Sequence, residues 1–182
     1  GRLELHSLDG DAQDSRALGD VDLSHGPLQL MSGVYWRMCQ EYPDILRTAI
    51  RIRCYSDAPP GSGLGSSSTM VVALVTAFVE YFGLPLGEYE IAHLAHAIER
   101  SDLKLAGGKQ DQYAAAFGGF NVMEFYDRDR VIVNPLRIKD WLSAELEASL
   151  VLYFTGVSRS SARIIEEQSR NVVEGNRQLV DA

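Results

Sequence analysis

Pro59-Pro60-Gly61-Ser62-Gly63-Leu64-Gly65-Ser66-Ser67-Ser68 decides how this chain is read. Glycines at three alternate positions free the backbone to take positive φ and to approach a ligand closely. The run that follows, Thr69 to Val79, is almost wholly apolar and predicts a buried helix. A helix start offers unpaired N–H groups and the positive end of the macrodipole. A glycine loop feeding it is therefore built to hold an anion, with phosphate the natural candidate. Ser66, Ser67 and Ser68 are placed to cap the helix, and their hydroxyls also suit phosphate or a magnesium ion. Two lookalikes fail on particular residues. A P-loop ends in Gly-Lys-Ser/Thr, and no lysine stands between Arg53 and Lys104. A dinucleotide fingerprint needs a third glycine where Ser66 stands. On the glycines alone, a plain turn between strand and helix is the alternative.

Outward from this loop the chain alternates strand and helix patterns. Upstream, Ile50-Arg51-Ile52-Arg53-Cys54-Tyr55 reads as a strand with Ile50, Ile52 and Cys54 on one side. Arg2 to His6 alternates in the same way, the polar segment Asp9 to Asp22 is expected to be a loop, and Leu28, Met31, Val34, Tyr35, Met38 and Tyr42 recur at helical spacing. Downstream, Ile91, Leu94, Ala95 and Ile98 form one helical stripe, and Asp111 to Phe117 predicts a short helix stopped by Gly118-Gly119. Strands are expected around Phe120–Phe125 and Val131–Val133, a buried strand at Leu150 to Phe154, and a last helix from Ala162 to Asn176. The chain turns polar between Asn134 and Ser149, which marks a boundary.

Composition fits an ordinary globular enzyme piece. The 182 residues are 46% hydrophobic and 23% charged, enough for one substantial core and part of a second domain. A net charge of −8 argues against nucleic acid or an anionic membrane as partner. Cys39 and Cys54 make no disulfide framework and read as buried free thiols of a reducing, cytoplasmic protein. No apolar run reaches the ~20 residues that span a bilayer, and no signal peptide opens the chain.

Two carboxylates carry the chemistry. Glu99 sits at the edge of the Ile91–Ile98 stripe, so its side chain points partly inward, where a carboxylate needs a cation or a partner. Magnesium would serve; a solvated glutamate or an ion pair with Arg100 is the alternative. Asp111 follows Gly107-Gly108 and stands where a helix begins, which suits an N-cap and equally suits a group facing a ligand. Lys109 is placed to lower the Asp111 pKa or to bind phosphate, or it is a surface lysine. Arg159, with Ser158, Ser160 and Ser161 between a strand and a helix, is a further anion candidate or a solvated loop residue. His93 and His96 lie off the apolar stripe and read as exposed histidines without a third metal ligand.

The glycine and serine run resembles the ATP-binding motif of the GHMP kinases. Gly107-Gly108-Lys109-Gln110-Asp111-Gln112-Tyr113-Ala114-Ala115-Ala116-Phe117-Gly118-Gly119-Phe120-Asn121 is similar to a narrower branch, the sugar-1-kinases acting on D-glycero-D-manno-heptose 7-phosphate. Val131 to Leu136 and Thr155 to Ser161 look like that branch too. The resemblance implies an α+β, two-domain α/β sandwich, with a ribosomal protein S5 domain 2-like N-terminal part and the start of a ferredoxin-like C-terminal domain. Residues 1–145 would be the ATP-binding domain and 146–182 the beginning of the second. ATP and Mg2+ are implied as cosubstrate and metal. Pro60, Gly61, Ser62, Gly63, Leu64, Gly65, Ser66, Ser67 and Ser68 would bind the nucleotide, and Ser67 with Glu99 the magnesium. Asp111, assisted by Lys109, would orient or deprotonate the acceptor hydroxyl, and Gly108, Ser158 and Arg159 would hold the sugar phosphate. The chain shows neither the family's N-terminal Arg/Gly-rich segment nor its late glycine-rich segment, so it is expected to be the middle of a longer kinase. A fucose- or galactose-like acceptor, or a binding protein without catalysis, are the rival readings, and a homodimer is left open.

Overall fold

The computed structural model describes residues 1–24, 26–58, 61–127, 129–153 and 170. Its chain opens with a hairpin. β1 (Arg2–Ser7) pairs antiparallel with β2 (Ala12–Ala17), Leu3 opposite Arg16 and Leu5 opposite Asp14. In the turn, the Ser7 hydroxyl donates to Asp9 Oδ1 at 2.9 Å and Asp11 takes φ +43°. Helix α1 (Gln29–Glu41) and a 3-10 turn (Pro43–Arg47) return the chain to β3 (Ile50–Cys54). β3 runs parallel to β1 on its other side, which makes the order β2-β1-β3. Leu3 and Leu5 on the central strand are buried under the helices.

Helix α2 (Ser66–Phe82) is the spine of the core. It buries Val71, Val72, Leu74, Val75, Phe78 and Val79, in one cluster with Val34, Tyr35 and Met38 of α1. Burying one such side chain stabilises by about 1.5–3 kcal/mol, so this face outweighs a missing side-chain cap, worth about 1 kcal/mol. Helix α3 (Glu88–Ala97) adds Ile91, Leu94 and Ala95 to the same core and runs directly into a π-helical turn, Ile98–Asp102. α1 holds that turn in place. Arg37 Nε donates to Asp102 Oδ2 at 2.7 Å, its Nη2 donates to Oδ1, and a Cβ on Gly33 would lie 2.8 Å from Leu103 Cδ1. Helix α4 (Gln110–Phe117) follows, then β4 (Asn121–Phe125) and β5 (Val131–Pro135), an antiparallel pair. Val133 closes a second small core with Ala92 and Tyr113.

The α+β order agrees with the expectation, with two corrections. Asp9 to Asp22 is not all loop, because Ala12–Ala17 is an edge strand whose small and polar side chains carry no apolar alternation. Leu150 to Tyr153 is neither strand nor buried: these residues are 67–90% exposed, with no element among the described residues to cover them. Helix α5 (Asp140–Ser149) has no buried residue, and the expected boundary between residues 145 and 146 falls inside it. Phe154 and, apart from residue 170, the expected last helix lie outside the described residues.

Candidate active site

Gly61, Gly63 and Gly65 all take positive φ, at +73°, +78° and +70°, which only glycine adopts freely. The serines correct the sequence reading: Gly65 is the N-cap of α2, no side chain caps the helix, and Ser66, Ser67 and Ser68 form its first turn. The glycine turn completes the geometry that a serine cap would otherwise supply. The first N–H groups of α2 are thus left for a ligand, and no acidic residue stands in that turn to oppose an anion. Ser62 adds a buried hydroxyl with no hydrogen-bond partner among the described residues. Leu64 is 53% exposed at the loop tip. Pro60 lies outside the described residues.

Because the serines sit inside the helix, their hydroxyls reach the carboxylate of the π-helical turn. Glu99 is 1% exposed, more deeply buried than its place at the edge of a stripe predicts. The extra residue of a π turn rotates it inward, a device common at functional sites. Its Oε1 accepts from Ser67 Oγ at 3.3 Å and from Ser68 Oγ at 3.2 Å. Its Oε2 accepts from the amide of Gln112, which also donates to Ser68 Oγ at 3.0 Å. Arg100 Nη1 stands 3.9 Å from Oε1, too far for a strong charge-assisted bond. The inward glutamate is therefore satisfied chiefly by hydroxyls and an amide rather than by a salt bridge. Gln112 is fully buried, and its Oε1 has no partner among the described residues. Sequence reading missed it: a glutamine between Asp111 and Tyr113 reads as a helix-surface residue until tertiary packing turns it toward Glu99.

This set fits a magnesium ion. Carboxylate and hydroxyl oxygens are hard ligands, and magnesium is commonly held by one or two carboxylates with the rest supplied by water and phosphate. Among the described residues no group of three or more His, Cys, Asp or Glu side chains gathers to hold a metal alone. Of the two hydroxyls on Oε1, Ser67 is exposed, whereas Ser68 is buried and engaged by Gln112. Ser67 is thus the more accessible of the two.

Asp111 is not a cap. Lys109 holds the N-cap position of α4, Asp111 lies in the first turn, and no cap hydrogen bond forms. Its carboxyl group faces the glycine loop: a Cβ built on Gly65 would lie 3.2 Å from Asp111 Cγ and 3.4 Å from Oδ2. The chain thus brings together the glycine loop with Ser67, Glu99 and Asp111 from three separate stretches. Lys109 does not join them in this structure; its Nζ pairs with Asp129 Oδ1 at 2.6 Å and holds that exposed carboxyl below its usual range. Gly108 has open space above its Cα, whereas Gly107 lies under Arg100. Ser158 and Arg159 lie outside the described residues.

His93 is exposed and His96 half-buried, its pKa pushed down first by burial and then by Lys109 and Arg100. Cys39 is buried and Cys54 half-buried, both unbridged, with burial pushing each thiol up. A groove of about 730 Å³ runs between β3 and α2, and its end at Tyr55, Ala58, Leu64 and Ser66 adjoins the glycine loop. Among the described residues no helix is long and apolar enough to cross a membrane.

Residues 29–119 match the family described as GHMP kinases N terminal domain. The chain is 52% identical over 154 residues to D-glycero-alpha-D-manno-heptose 7-phosphate kinase of Campylobacter jejuni, covering 85% of this chain and 45% of that protein. A crystal structure of a D-glycero-D-manno-heptose 1-phosphate kinase from Bacteroides thetaiotaomicron superposes with a TM-score of 0.78 at 44% identity, over 100% of this chain and 58% of that one. Galactokinase from Lactococcus lactis, crystallised with galactose, shares the fold at a TM-score of 0.60 and 18% identity, over 76% of this chain and 37% of that one. The chain thus spans about half the length of these relatives.

Proposed function

The chain belongs to the GHMP kinase family, and on that premise we propose that it is the ATP-binding part of a sugar kinase acting on D-glycero-D-manno-heptose 7-phosphate. The full-length protein transfers the γ-phosphoryl group of ATP to the anomeric hydroxyl, giving the 1,7-bisphosphate and ADP. One observation carries the reading: Asp111 packs against Gly65 at the N-terminus of α2, while Glu99 lies under Ser67 in the same helix turn. A base for the acceptor and a metal carboxylate thus flank one phosphate-binding turn. The choice of heptose rests on the 52% identity to the Campylobacter relative.

The roles follow from chemistry. The loop amides and the Ser62 hydroxyl bind the phosphates, and the apolar groove beside Leu64 receives the base. Glu99 and Ser67 would hold Mg2+, which when bound neutralises phosphate charge. Gln112 and Ser68 keep the Glu99 carboxylate oriented, and the exposed Ser67 hydroxyl would be free to offer its oxygen to the ion. Asp111 aligns the anomeric hydroxyl and takes its proton as the new O–P bond forms; this hydroxyl is more acidic than an ordinary alcohol, so a carboxylate suffices. Lys109, Gly108, Ser158 and Arg159 are assigned to the sugar phosphate. The proposal places residues 1–145 in the ATP-binding domain and 146–182 at the start of the next, with α5 spanning the join, and sets the reaction in the cytosol.

An acceptor panel on the full-length protein tests this. ADP formation should depend on heptose 7-phosphate and on magnesium, and exceed that with galactose or fucose. ADP formation with a different sugar would overturn the acceptor, and none with any sugar would overturn the enzyme.

A further inference from the structure

We propose that Arg100 is a positioning residue, whose guanidinium clamps the segment 103–109 and so fixes where Asp111 meets the acceptor. The inference rests on the kinase reading above and adds a residue to it. The segment joins the π-helical turn to α4 without regular structure. Lys104 within it takes φ +56°, a costly conformation for a residue with a Cβ, and Gly107-Gly108 follow. Backbone carbonyls in such a stretch need donors from elsewhere.

Arg100 supplies them. Its Nη1 donates to the carbonyl oxygens of Leu105 at 3.2 Å and Ala106 at 3.4 Å, and its Nε and Nη2 both donate to that of Gly108 at 3.2 Å. Three carbonyls are gathered onto one planar fork, which a lysine ammonium does not reproduce. The approach requires a glycine beneath it, since a Cβ on Gly107 would lie 2.3 Å from Nη2 and 2.5 Å from Cζ. Arg100 is thus mainly a carbonyl clamp, its nearer charge partner Glu99 being 3.9 Å away. Consecutive residues of one turn orient both carboxylates: Glu99 directly, toward α2, and Asp111 through Arg100 and the segment that leads into α4.

Arg100→Lys and Gly107→Ala, singly and combined in the full-length protein, test the clamp. Amide hydrogen exchange across residues 103–109, measured without substrate, should speed up in each variant. A displaced catalytic group costs about tenfold to a hundredfold, so kcat/KM for heptose 7-phosphate should fall on that scale. The KM for Mg-ATP should stay within about twofold, a split that general destabilisation does not produce. Since both substitutions break the same contact, the double variant should be little worse than either single one. Unchanged exchange in 103–109, or acceptor and nucleotide parameters falling together with the melting temperature, would overturn the proposal. If the wild type itself fails to turn over the sugar, the kinase reading fails; the exchange comparison uses no substrate and still decides the clamp.

Discussion

Asparagine at position 111 separates charge from shape. Lys109 occupies the N-cap of α4, so Asp111→Asn removes no capping bond, and the Asp111 carboxylate forms no hydrogen bond or ion pair with another described residue that the change would break. What the fold loses is one negative charge in the first turn of a helix, worth about 0.3–1 kcal/mol. The expected stability cost is therefore at most about 1 kcal/mol, or about 2–4 °C in a domain of roughly this size. Loss of a general base costs about a hundredfold to ten-thousandfold in rate, equivalent to about 3–5 kcal/mol in the barrier. The rate effect exceeds the stability effect several times over, and the two are measured independently. The assay is steady-state turnover of heptose 7-phosphate by the full-length variant, with ATP binding by calorimetry and melting followed in parallel. The expected variant is folded, binds ATP and is nearly inactive. A folded variant that keeps most of its turnover would refute the assignment of Asp111 as the base.

Three further outcomes follow from the same site. Glu99→Gln should raise the magnesium concentration needed for half-maximal activity, since a charged hard ligand is lost; an unchanged magnesium titration would return Glu99 to a purely structural role. Gln112→Met keeps the volume but withdraws a bond to a buried carboxylate and one to Ser68, so it should destabilise by about 2–4 kcal/mol and lower the melting point well beyond Asp111→Asn. Melting level with the wild type would show that Glu99 does not depend on this amide. Gly65→Ala meets both positive φ and the Asp111 side chain, whereas Gly63→Ala meets positive φ in open space. Calorimetry should therefore show a larger loss of ATP affinity at position 65, and wild-type affinity in both variants would remove the loop from the site.

Helices α1, α2 and α3 were readable because each has its own apolar period, whereas α5, which buries no residue, was not. Ile91, Leu94, Ala95 and Ile98 are buried in the structure as their spacing demands, and the run after Ser68 is the core spine. Local patterns failed where a residue's state depends on what covers it. Ala12–Ala17 carries no apolar alternation, its half-buried face being made by Ala12, Asp14 and Arg16, so only the pairing with β1 reveals it. Leu150 to Tyr153 shows the converse: an apolar run predicts burial, yet no described element lies over it.

By itself, the sequence determined that a glycine loop opens a buried helix, because glycine conformational freedom and apolar periodicity are local properties of the chain. It also placed Glu99 and Asp111 among the candidate groups. Only tertiary structure decided what those groups do to one another. Gly65, not a serine, caps α2, which frees Ser67 and Ser68 for Glu99; the π-helical turn buries that carboxylate; Gln112 closes the ring; and Arg100 reaches past Glu99 to the segment before Asp111. These partners lie up to 44 positions apart in the chain, as with Ser68 and Gln112. A buried polar group is satisfied by whichever donor the fold brings near it, and that choice is made by packing between elements rather than within any one of them.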